Sequence, residues 1–418
     1  MKRIILFSIV MLLVSFSYSQ SVWYPQNSGT NTVLFDVQFI DNFTGWICGN
    51  TGTILHTQDG GLNWQEQDPP PNNTYYGIYF ADSENGYACG YGGKIIGTND
   101  GGSTWTSQIT NTSTYLYDIQ FVDSQTGWAV GGDNGVFPSN ITHRVVLHTS
   151  DGGNTWVDQL NQSDEKLLRS VYFIDENNGY AVGEGGEVIH TSDGGSNWML
   201  QASFPSYDFR SVFFVDELKG WVISEYLGLP HAAVIFITTD GGLSWTEQVI
   251  TEDHTLFNIF FIDENKGWAV GGDAQGSAIY YTLDGGTTWY EDDAGTTEYL
   301  YSIYFNDHDN GWIVGNGGTI LSSSLPTGIE THEAFASISA FPNPASHKLS
   351  VQLETETDKT VNISLISTSG QIIYRSENLP VTGRTSLNVD VEAYKEGMYL
   401  LFIENNTDRI VEKIIIKR

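Results

Sequence analysis

A short motif, Thr-x-Asp-Gly-Gly-x-x-Trp, occurs six times in this chain and constrains its fold more than any other feature. The tryptophans that end the copies follow one another at intervals of 41, 51, 42, 47 and 44 residues. Self-similarity at such a period indicates a repeat architecture in which every copy contributes one supersecondary unit. The copies are Thr57–Trp64, Thr98–Trp105, Thr149–Trp156, Thr191–Trp198, Thr238–Trp245 and Thr282–Trp289.

A second motif marks seven repeats rather than six. In it a phenylalanine is followed by an aspartate two residues later and then by a Gly-aromatic pair. In the first repeat, β-rich segments at 34–40, 46–49, 53–57 and 64–67 are separated by turns rich in Gly and Asp. Four short strands in ~40–45 residues are typical of a propeller blade. The seven copies are Phe39/Asp41/Trp46, Phe80/Asp82/Tyr87, Phe121/Asp123/Trp128, Phe173/Asp175/Tyr180, Phe214/Asp216/Trp221, Phe261/Asp263/Trp268 and Phe305/Asp307/Trp312.

The sequence therefore predicts an all-β fold, a seven-bladed β-propeller of four-stranded blades over residues 20–325. The seventh repeat stops after Leu321 without the tryptophan strand. The segment Val22–Thr30 resembles the fourth strand of other repeats, such as Trp105–Gln108. We therefore expect the N-terminal strand to complete blade seven and close the ring, because closure removes exposed strand edges.

The Asp-Gly-Gly-x-x-Trp turn resembles the Asp-box (BNR) repeat. The whole repeat resembles the photosystem II stability/assembly factor-like propellers, including an Arg before the innermost strand in segments 168–171 and 209–212. This resemblance covers about residues 21–325 and implies the propeller fold. It leaves function open, because Asp-boxes also occur in sialidases, xyloglucan hydrolases and sortilin-type receptors. In those families the Asp-box lies away from the active face, so we interpret its six aspartates, and Asp41 with its equivalents, as structural.

Residues 1–19 have the features of a signal peptide. Lys2 and Arg3 precede an apolar run, Ile4–Val14, which is too short to span a bilayer, and Ser17 and Ser19 provide small residues for cleavage. An uncleaved membrane anchor is the alternative interpretation. We expect the mature protein to be secreted.

The C-terminal region departs from the repeat. Residues 326–339 are predicted to be a linker, and residues 340–418 to form a small Ig-like β-sandwich, because alternating strand segments follow Phe341–Ala345 and lead to the basic, Ile-rich end Lys413–Arg418. These features resemble the type IX (Por) secretion C-terminal sorting domain. The resemblance implies the type IX machinery as a partner, and export through the periplasm to the exterior or outer-membrane surface of a Gram-negative bacterium. An ordinary adhesive sandwich is the alternative.

Charge excludes one class of partner. Residues 21–330 carry seven basic side chains against 39 acidic ones, and such a surface repels phosphate backbones, so we expect no nucleic-acid ligand. No segment after the signal peptide is apolar enough to span a membrane. The histidines are scattered and no phosphate loop is present, so we predict no cofactor and no metal site, and we expect a monomer. Cys48 and Cys89 occupy equivalent strand positions; a disulfide between them stays open.

A candidate ligand site follows from the insertions. Loops lengthen in blades three, five and six, on the face opposite the Asp-boxes, and long loops on a rigid scaffold carry recognition more often than stability. One position per blade near this face holds an aromatic residue or an arginine: Phe35, Tyr76, Tyr117, Arg169, Arg210, Phe257 and Tyr301. Such a ring can stack sugars, clamp a carboxylate or hold a peptide. The predicted ligand-binding residues are Tyr117, Arg169, Arg210, Tyr226, His231 and Phe257.

Ordinary packing between blades is the competing interpretation of the ring, because Phe35 shares a strand face with Val37 and Phe39 under simple alternation. At the level of function we predict a secreted or cell-surface binding module for a glycan or a protein, without catalytic residues. The alternative is a glycoside hydrolase related to sialidases or xyloglucanases, which needs two carboxylates at a defined separation. Asp36 and Asp118 share a register, but no recognisable catalytic signature surrounds them.

Overall fold

The computed structural model of the chain describes residues 23–71, 73–133, 143–160, 166–226, 232–251, 254–323, 337–355, 359–367, 372–404 and 409–418. Seven four-stranded sheets lie between residues 24 and 322, and two further sheets lie between 337 and 416. The predicted all-β propeller with seven blades, followed by a small β-sandwich, is confirmed. Within these ranges, no helix has the length and apolar character needed to cross a lipid bilayer. The predicted signal peptide lies outside the described residues.

The strands are numbered in chain order, and β1 (Tyr24–Gln26) stands apart from the strands that follow it. Blade one contains β2 (Leu34–Phe39), β3 (Gly45–Gly49), β4 (Ile54–Thr57) and β5 (Gln65–Glu66). Blade two contains β6 (Tyr75–Phe80), β7 (Gly86–Gly90), β8 (Ile95–Thr98) and β9 (Thr106–Gln108). Blade three contains β10 (Leu116–Phe121), β11 (Gly127–Asp133), β12 (His143–Thr149) and β13 (Val157–Asp158). Blade four contains β14 (Leu168–Phe173), β15 (Gly179–Gly183), β16 (Glu187–Thr191) and β17 (Met199–Ser203).

The remaining blades follow the same plan. Blade five contains β18 (Tyr207–Phe214), β19 (Gly220–Tyr226), β20 (Ala233–Thr238) and β21 (Thr246–Thr251). Blade six contains β22 (Leu256–Phe261), β23 (Gly267–Asp273), β24 (Gly276–Thr282) and β25 (Tyr290–Asp292). Blade seven contains β26 (Leu300–Phe305), β27 (Gly311–Gly315), β28 (Ile320–Ser322) and β1. In four blades a 3-10 turn joins the second and third strands: Asn50–Gly52, Tyr91–Gly93, Glu184–Gly186 and Asn316–Gly318.

The first strand of every blade contacts the first strand of the next, and β26 contacts β2, so seven inner strands surround a central channel. Strand β1 pairs antiparallel with β28, with Tyr24 opposite Ser322. Just before it, Trp23 Nε1 donates a 3.2 Å hydrogen bond to Asp292 Oδ2 of blade six. The N-terminal segment thus completes blade seven, although almost the whole propeller separates it in sequence from the strand with which it pairs.

The second motif forms the interfaces between blades. Its phenylalanine stacks on the aromatic residue of the neighbouring blade, as Phe39 does on Trp312 with ring centroids 3.4 Å apart. The glycine before each aromatic residue is needed because a Cβ at Gly45 would lie 2.6 Å from the Phe39 ring. Equivalent stacks recur at Phe80–Trp46, Phe121–Tyr87, Phe173–Trp128, Phe214–Tyr180, Phe261–Trp221 and Phe305–Trp268.

The Asp-box aspartates are structural, as the sequence indicated. Asp59 Oδ1 accepts a 2.8 Å hydrogen bond from Thr57 Oγ1 and a 2.9 Å bond from the Asn63 backbone N–H, which fixes the turn. The same pattern holds at Asp100, Asp151, Asp193, Asp240 and Asp284. Asp41 similarly accepts two backbone amides in the turn between β2 and β3.

A glutamine in the fourth strand of a blade ties it to the next Asp-box, and sequence reasoning missed this contact. Gln26 accepts a 3.1 Å hydrogen bond from Trp64 Nε1 and donates a 3.0 Å bond to the Gly60 carbonyl. The motif tryptophan is therefore held by the preceding blade. Related contacts join Gln67 to Trp105, Gln108 to Trp156 and Gln159 to Trp198.

The C-terminal region forms two sheets around one apolar core. One contains β29 (Ser337–Phe341), β30 (Lys348–Glu354) and β33 (Arg384–Asp390); the other contains β31 (Lys359–Ser367), β32 (Ile372–Val381), β34 (Gly397–Glu404) and β35 (Arg409–Ile416). Strand β29 begins inside the stretch predicted as linker. Residues that alternate along the strands, such as Leu349, Val351 and Leu353, are buried, which gives the sandwich its core.

Cys48 and Cys89 are both buried and both free. Each Sγ donates to a backbone carbonyl of the following blade, from Cys48 to Tyr75 at 3.4 Å and from Cys89 to Leu116 at 3.7 Å. They fill strand positions as small apolar residues and form no disulfide.

Candidate binding site at the channel mouth

A β-bulge at the start of every innermost strand builds the channel mouth. In blade one, Leu34 pairs with Gly49 and Asp36 with Cys48, so Phe35 between them has no partner in the ladder. The same register shift occurs in all seven blades. A bulge re-aims the extra side chain, and bulges are common beside functional sites. The bulged residues, here called the mouth ring, are Phe35, Tyr76, Tyr117, Arg169, Arg210, Phe257 and Tyr301.

The bulge corrects the expectation that Phe35 shares a strand face with Val37 and Phe39. The extra residue shifts the alternation by one position, so that Leu34, Val37 and Phe39 are buried while Phe35 is only half-buried. Sequence alternation alone could not reveal this shift. The mouth-ring side chains therefore lie outside the buried core of each blade and contact the equivalent residues of neighbouring blades.

Aromatic residues of the mouth ring form a continuous arc. Phe35 lies between Tyr76 and Tyr301, with ring centroids 5.2 Å and 5.4 Å apart, and Tyr76 continues to Tyr117 at 5.5 Å. On the other side, Phe257 stacks on Tyr301 at 5.4 Å. Five of the seven blades therefore supply one uninterrupted aromatic surface.

Two arginines complete the ring in blades four and five. The Arg169 guanidinium lies over the Tyr117 ring, 5.5 Å from its centroid, and forms a 3.6 Å ion pair with Glu184. Arg210 forms an ion pair with Glu225. Burial, and then the charge of Arg210, lower the pKa of Arg169, whereas Tyr117, Glu184 and Asp208 oppose this shift. Each arginine side chain stays about a quarter exposed, at 23% and 25%.

The structure brings together four of the six residues that the sequence suggested. Tyr117 and Arg169 are in contact, Arg210 occupies the equivalent bulge on the next inner strand, and Phe257 reaches the same arc through Tyr301. Strand β19 ends at Tyr226, whose side chain is outside the described part, and His231 lies outside the described residues. Glu184 and Glu225, which orient the arginines, were missed, because their distance in sequence from Arg169 and Arg210 carries no local signal.

Below the mouth ring, the channel is lined by the residues that follow the bulges, around a cavity of about 150 Å³. Asp36 is partly buried and accepts hydrogen bonds from Ser302 Oγ at 2.7 Å and from the Ile78 and Val37 backbone amides at 2.9 Å. Burial raises the pKa of Asp36 to about 7. Asp118 likewise accepts bonds from Ser170 and Val171 of the next blade. Asp36 and Asp118 therefore each connect neighbouring blades. This structural role explains why blades one and three have an aspartate at the same strand position.

Comparison with known protein families decides the kind of propeller. Residues 16–76, 66–164, 110–249 and 247–324 match the family described as photosynthesis system II assembly factor YCF48. The chain belongs to this family. Its YCF48-type propeller is followed by residues 339–417, which match the secretion system C-terminal sorting domain. That domain indicates type IX secretion, and export of the propeller to the cell surface or the surrounding medium.

Solved structures with the same fold include other YCF48 propellers. "YCF48 bound to D1 peptide" is 20% identical, covers 73% of this chain and 97% of that one, and has a TM-score of 0.59. YCF48 from Cyanidioschyzon merolae is 19% identical, covers 72% of this chain and 98% of that one, and has a TM-score of 0.57. A GH74 xyloglucanase from Xanthomonas campestris is 12% identical, covers 80% of this chain and 59% of that one, and has a TM-score of 0.58. At these identities the likeness shows the fold alone. A search of curated proteins found no match.

Proposed function

We propose that this protein is a secreted binding module whose mouth ring binds a peptide segment of a partner protein. The ring contacts the apolar side chains of that peptide and one of its carboxylate groups. The observation that carries the proposal is the Arg169–Arg210 pair at the end of an aromatic arc. The arc offers stacking surface, and the guanidinium groups offer paired donors that match carboxylate geometry.

Electrostatics favour a carboxylate over other groups. Each arginine already has an acidic partner, Glu184 for Arg169 and Glu225 for Arg210, so a ligand carboxylate would use the N–H donors that these ion pairs leave available. Glu184 and Glu225 hold the guanidinium groups in place, so little side-chain freedom is lost on binding. The strongly acidic remainder of the propeller repels extended polyanions, so a single carboxylate in a peptide fits this site better than a nucleic acid does.

The comparisons add support by analogy. A structural neighbour from the same family has a peptide bound, which makes an extended peptide a reasonable occupant of a related propeller. A glycan is the competing ligand class, since aromatic residues with arginine also stack sugars. The GH74 likeness shares only the fold, and in this chain Asp36 and Asp118 are engaged by backbone amides and serines of neighbouring blades.

The proposal is tested by a ligand screen on the mature, full-length protein. A library of displayed peptides with free C-terminal carboxylates is compared with the same library in amidated form and with a glycan array, while released reducing sugar is measured on polysaccharides. Enrichment of carboxylate-bearing peptides supports the proposal. Binding confined to glycans would show that the ligand class is wrong, and polysaccharide hydrolysis would establish the enzyme alternative.

A further inference from the structure

An apolar groove of about 470 Å³ lies between blades four and five, on the Asp-box face and therefore opposite the mouth ring. The outer strand β17 of blade four borders it on one side, and two turns of blade five border it on the other. Large apolar side chains along both borders are exposed to solvent. They are Met199 (66% exposed), Leu200 (58%), Leu218 (59%) and Leu243 (80%).

The repeat does not account for these four side chains. The crevice between blades two and three has the same place in the fold, and its walls are largely polar. The fold therefore accepts polar residues at all four positions. Single exposed apolar residues are ordinary, but a contiguous group of them marks an interaction site. In the order given above, the equivalent residues of blades two and three are Thr106, Ser107, Gln125 and Asn154.

The strand that carries Met199 and Leu200 is also an unusually long outer edge. Strand β17 has five residues and β21 of blade five has six, whereas the outer strands of the other five blades have two or three. In the part of the chain that the structure describes, β17 pairs only with β16. Soluble proteins usually keep exposed edge strands short or charged, because apolar edges attract other chains.

Charge decides which partner fits the groove. Glu217 and Asp240 belong to its lining, and none of the described lining residues is Lys or Arg. Burial, and then the negative charge of Glu217, raise the pKa of Tyr180 in the same groove to about 12. The nearby Lys219 ammonium group donates instead to the Glu264 carbonyl of blade six. A second copy of this chain would bring another strongly acidic propeller, so self-association is disfavoured.

We propose that this groove binds a segment of a partner protein in which apolar residues are flanked by lysine or arginine. The apolar side chains of that segment leave water against the four exposed side chains of the groove, and its basic residues lie near Glu217 and Asp240. This surface is separate from the mouth ring, and the proposal does not rest on peptide binding there.

The test gives the groove the polar residues that the repeat uses between blades two and three. The fourfold variant carries Met199→Thr, Leu200→Ser, Leu218→Gln and Leu243→Asn, and it is expected to fold because all four side chains are exposed. Leu243→Asn alone is a second, smaller change. Val157→Thr is the matched control, because Val157 follows the Asp-box tryptophan of blade three as Met199 follows that of blade four, and it is exposed outside the groove.

A further pair of variants tests the contribution of charge. Glu217→Gln removes a carboxylate from the groove without changing the shape of the side chain. Glu176→Gln is its control, since Glu176 has the same place in the turn of blade four and does not line the groove.

The probes are synthetic peptides with blocked ends, in which three apolar residues alternate with threonine between terminal lysines. The same peptides with terminal glutamates are the comparison. Binding to the full mature protein is measured by calorimetry and ligand-observed NMR, and sedimentation velocity records its oligomeric state.

We expect the lysine peptides to bind more tightly than the glutamate peptides, and the fourfold variant to weaken their binding at least about tenfold with unchanged thermal unfolding. Leu243→Asn should weaken it less, Glu217→Gln about twofold at low salt, and the two controls not at all. Absence of binding by the lysine peptides, preference for the glutamate peptides, or unchanged affinity in the fourfold variant would overturn the proposal. A dimer that the fourfold variant abolishes would also overturn it, because the occupant would then be a second copy.

Discussion

Ser302 Oγ donates a 2.7 Å hydrogen bond to Asp36 Oδ1 and thereby joins the seventh blade to the first across the central channel wall. The other oxygen of the same carboxylate accepts the Ile78 amide of blade two. One partly buried side chain therefore connects three consecutive blades. Its burial also gives the propeller a pH dependence that can be measured.

We expect the free energy of unfolding to fall as pH rises from about 4 to about 7. Burial raises the pKa of Asp36 to about 7 from an ordinary value of 3.8, so the folded state binds a proton more tightly than the unfolded state does. The stabilisation is complete below the ordinary pKa and is lost as pH passes the raised one, an effect of up to roughly 4 kcal/mol. Urea unfolding at several pH values measures it.

Asp36→Asn removes this titration and should flatten the pH profile, although the variant itself is less stable because an amide cannot accept all three hydrogen bonds. Asp68→Asn is the control, since Asp68 is exposed, and its free energy of unfolding should change with pH as that of the wild type does. An identical slope in Asp36→Asn and the parent would show that another group governs the dependence.

Deleting residues 20–30 should either destabilise the propeller by several kcal/mol or cause aggregation. A loss of about that size is a large part of the stability of a typical domain. The deletion removes β1 and exposes the edge of β28, and it also removes the Gln26 contacts to Trp64 and Gly60. Differential scanning calorimetry and light scattering detect the two outcomes. Deleting 326–336 controls for shortening the chain; a melt of the N-terminal deletion equal to that of the intact protein would contradict the closure of blade seven by β1.

Replacing Arg169 and Arg210 together by Ala should weaken binding of the peptide ligand by roughly 1–3 kcal/mol, because charge-assisted hydrogen bonds are lost. Unfolding should change less, since both side chains lie at the partly exposed mouth. Calorimetric titration with the peptide selected by the screen measures the effect. Lys94→Ala, which removes an exposed positive charge outside the mouth ring, should bind as the parent does. A double variant that binds normally, or that unfolds, would assign the pair to packing.

Deleting residues 340–418 should leave a folded propeller in the periplasm. The deleted part is most of the region that matches the sorting domain, and it has its own apolar core, so the propeller does not depend on it for burial. Cell fractionation and protease shaving locate the truncated protein, and thermal unfolding of the recovered material shows whether it is folded. Normal appearance of the truncated protein at the cell surface would mean that export uses another signal.

The sequence by itself determined the architecture. Motif spacing established seven repeats, and the composition of each repeat established four short strands, because turn residues and alternating apolar residues act locally and recur in every copy. The structural role of Asp59 and its equivalents also followed from sequence, since an aspartate that bonds its own turn needs only its near neighbours. The C-terminal sandwich was recognisable for the same reason, through its alternating strands.

Only the tertiary structure decided which side chains meet. The bulge at Phe35 reverses the alternation that the sequence suggested, and it depends on how β2 pairs with β3. The contact of Arg169 with Tyr117 arises between blades, where residues far apart in sequence are brought together by ring geometry. A repeat specifies its own blade through local interactions, but a site on the ring depends on what the neighbouring blades place beside it.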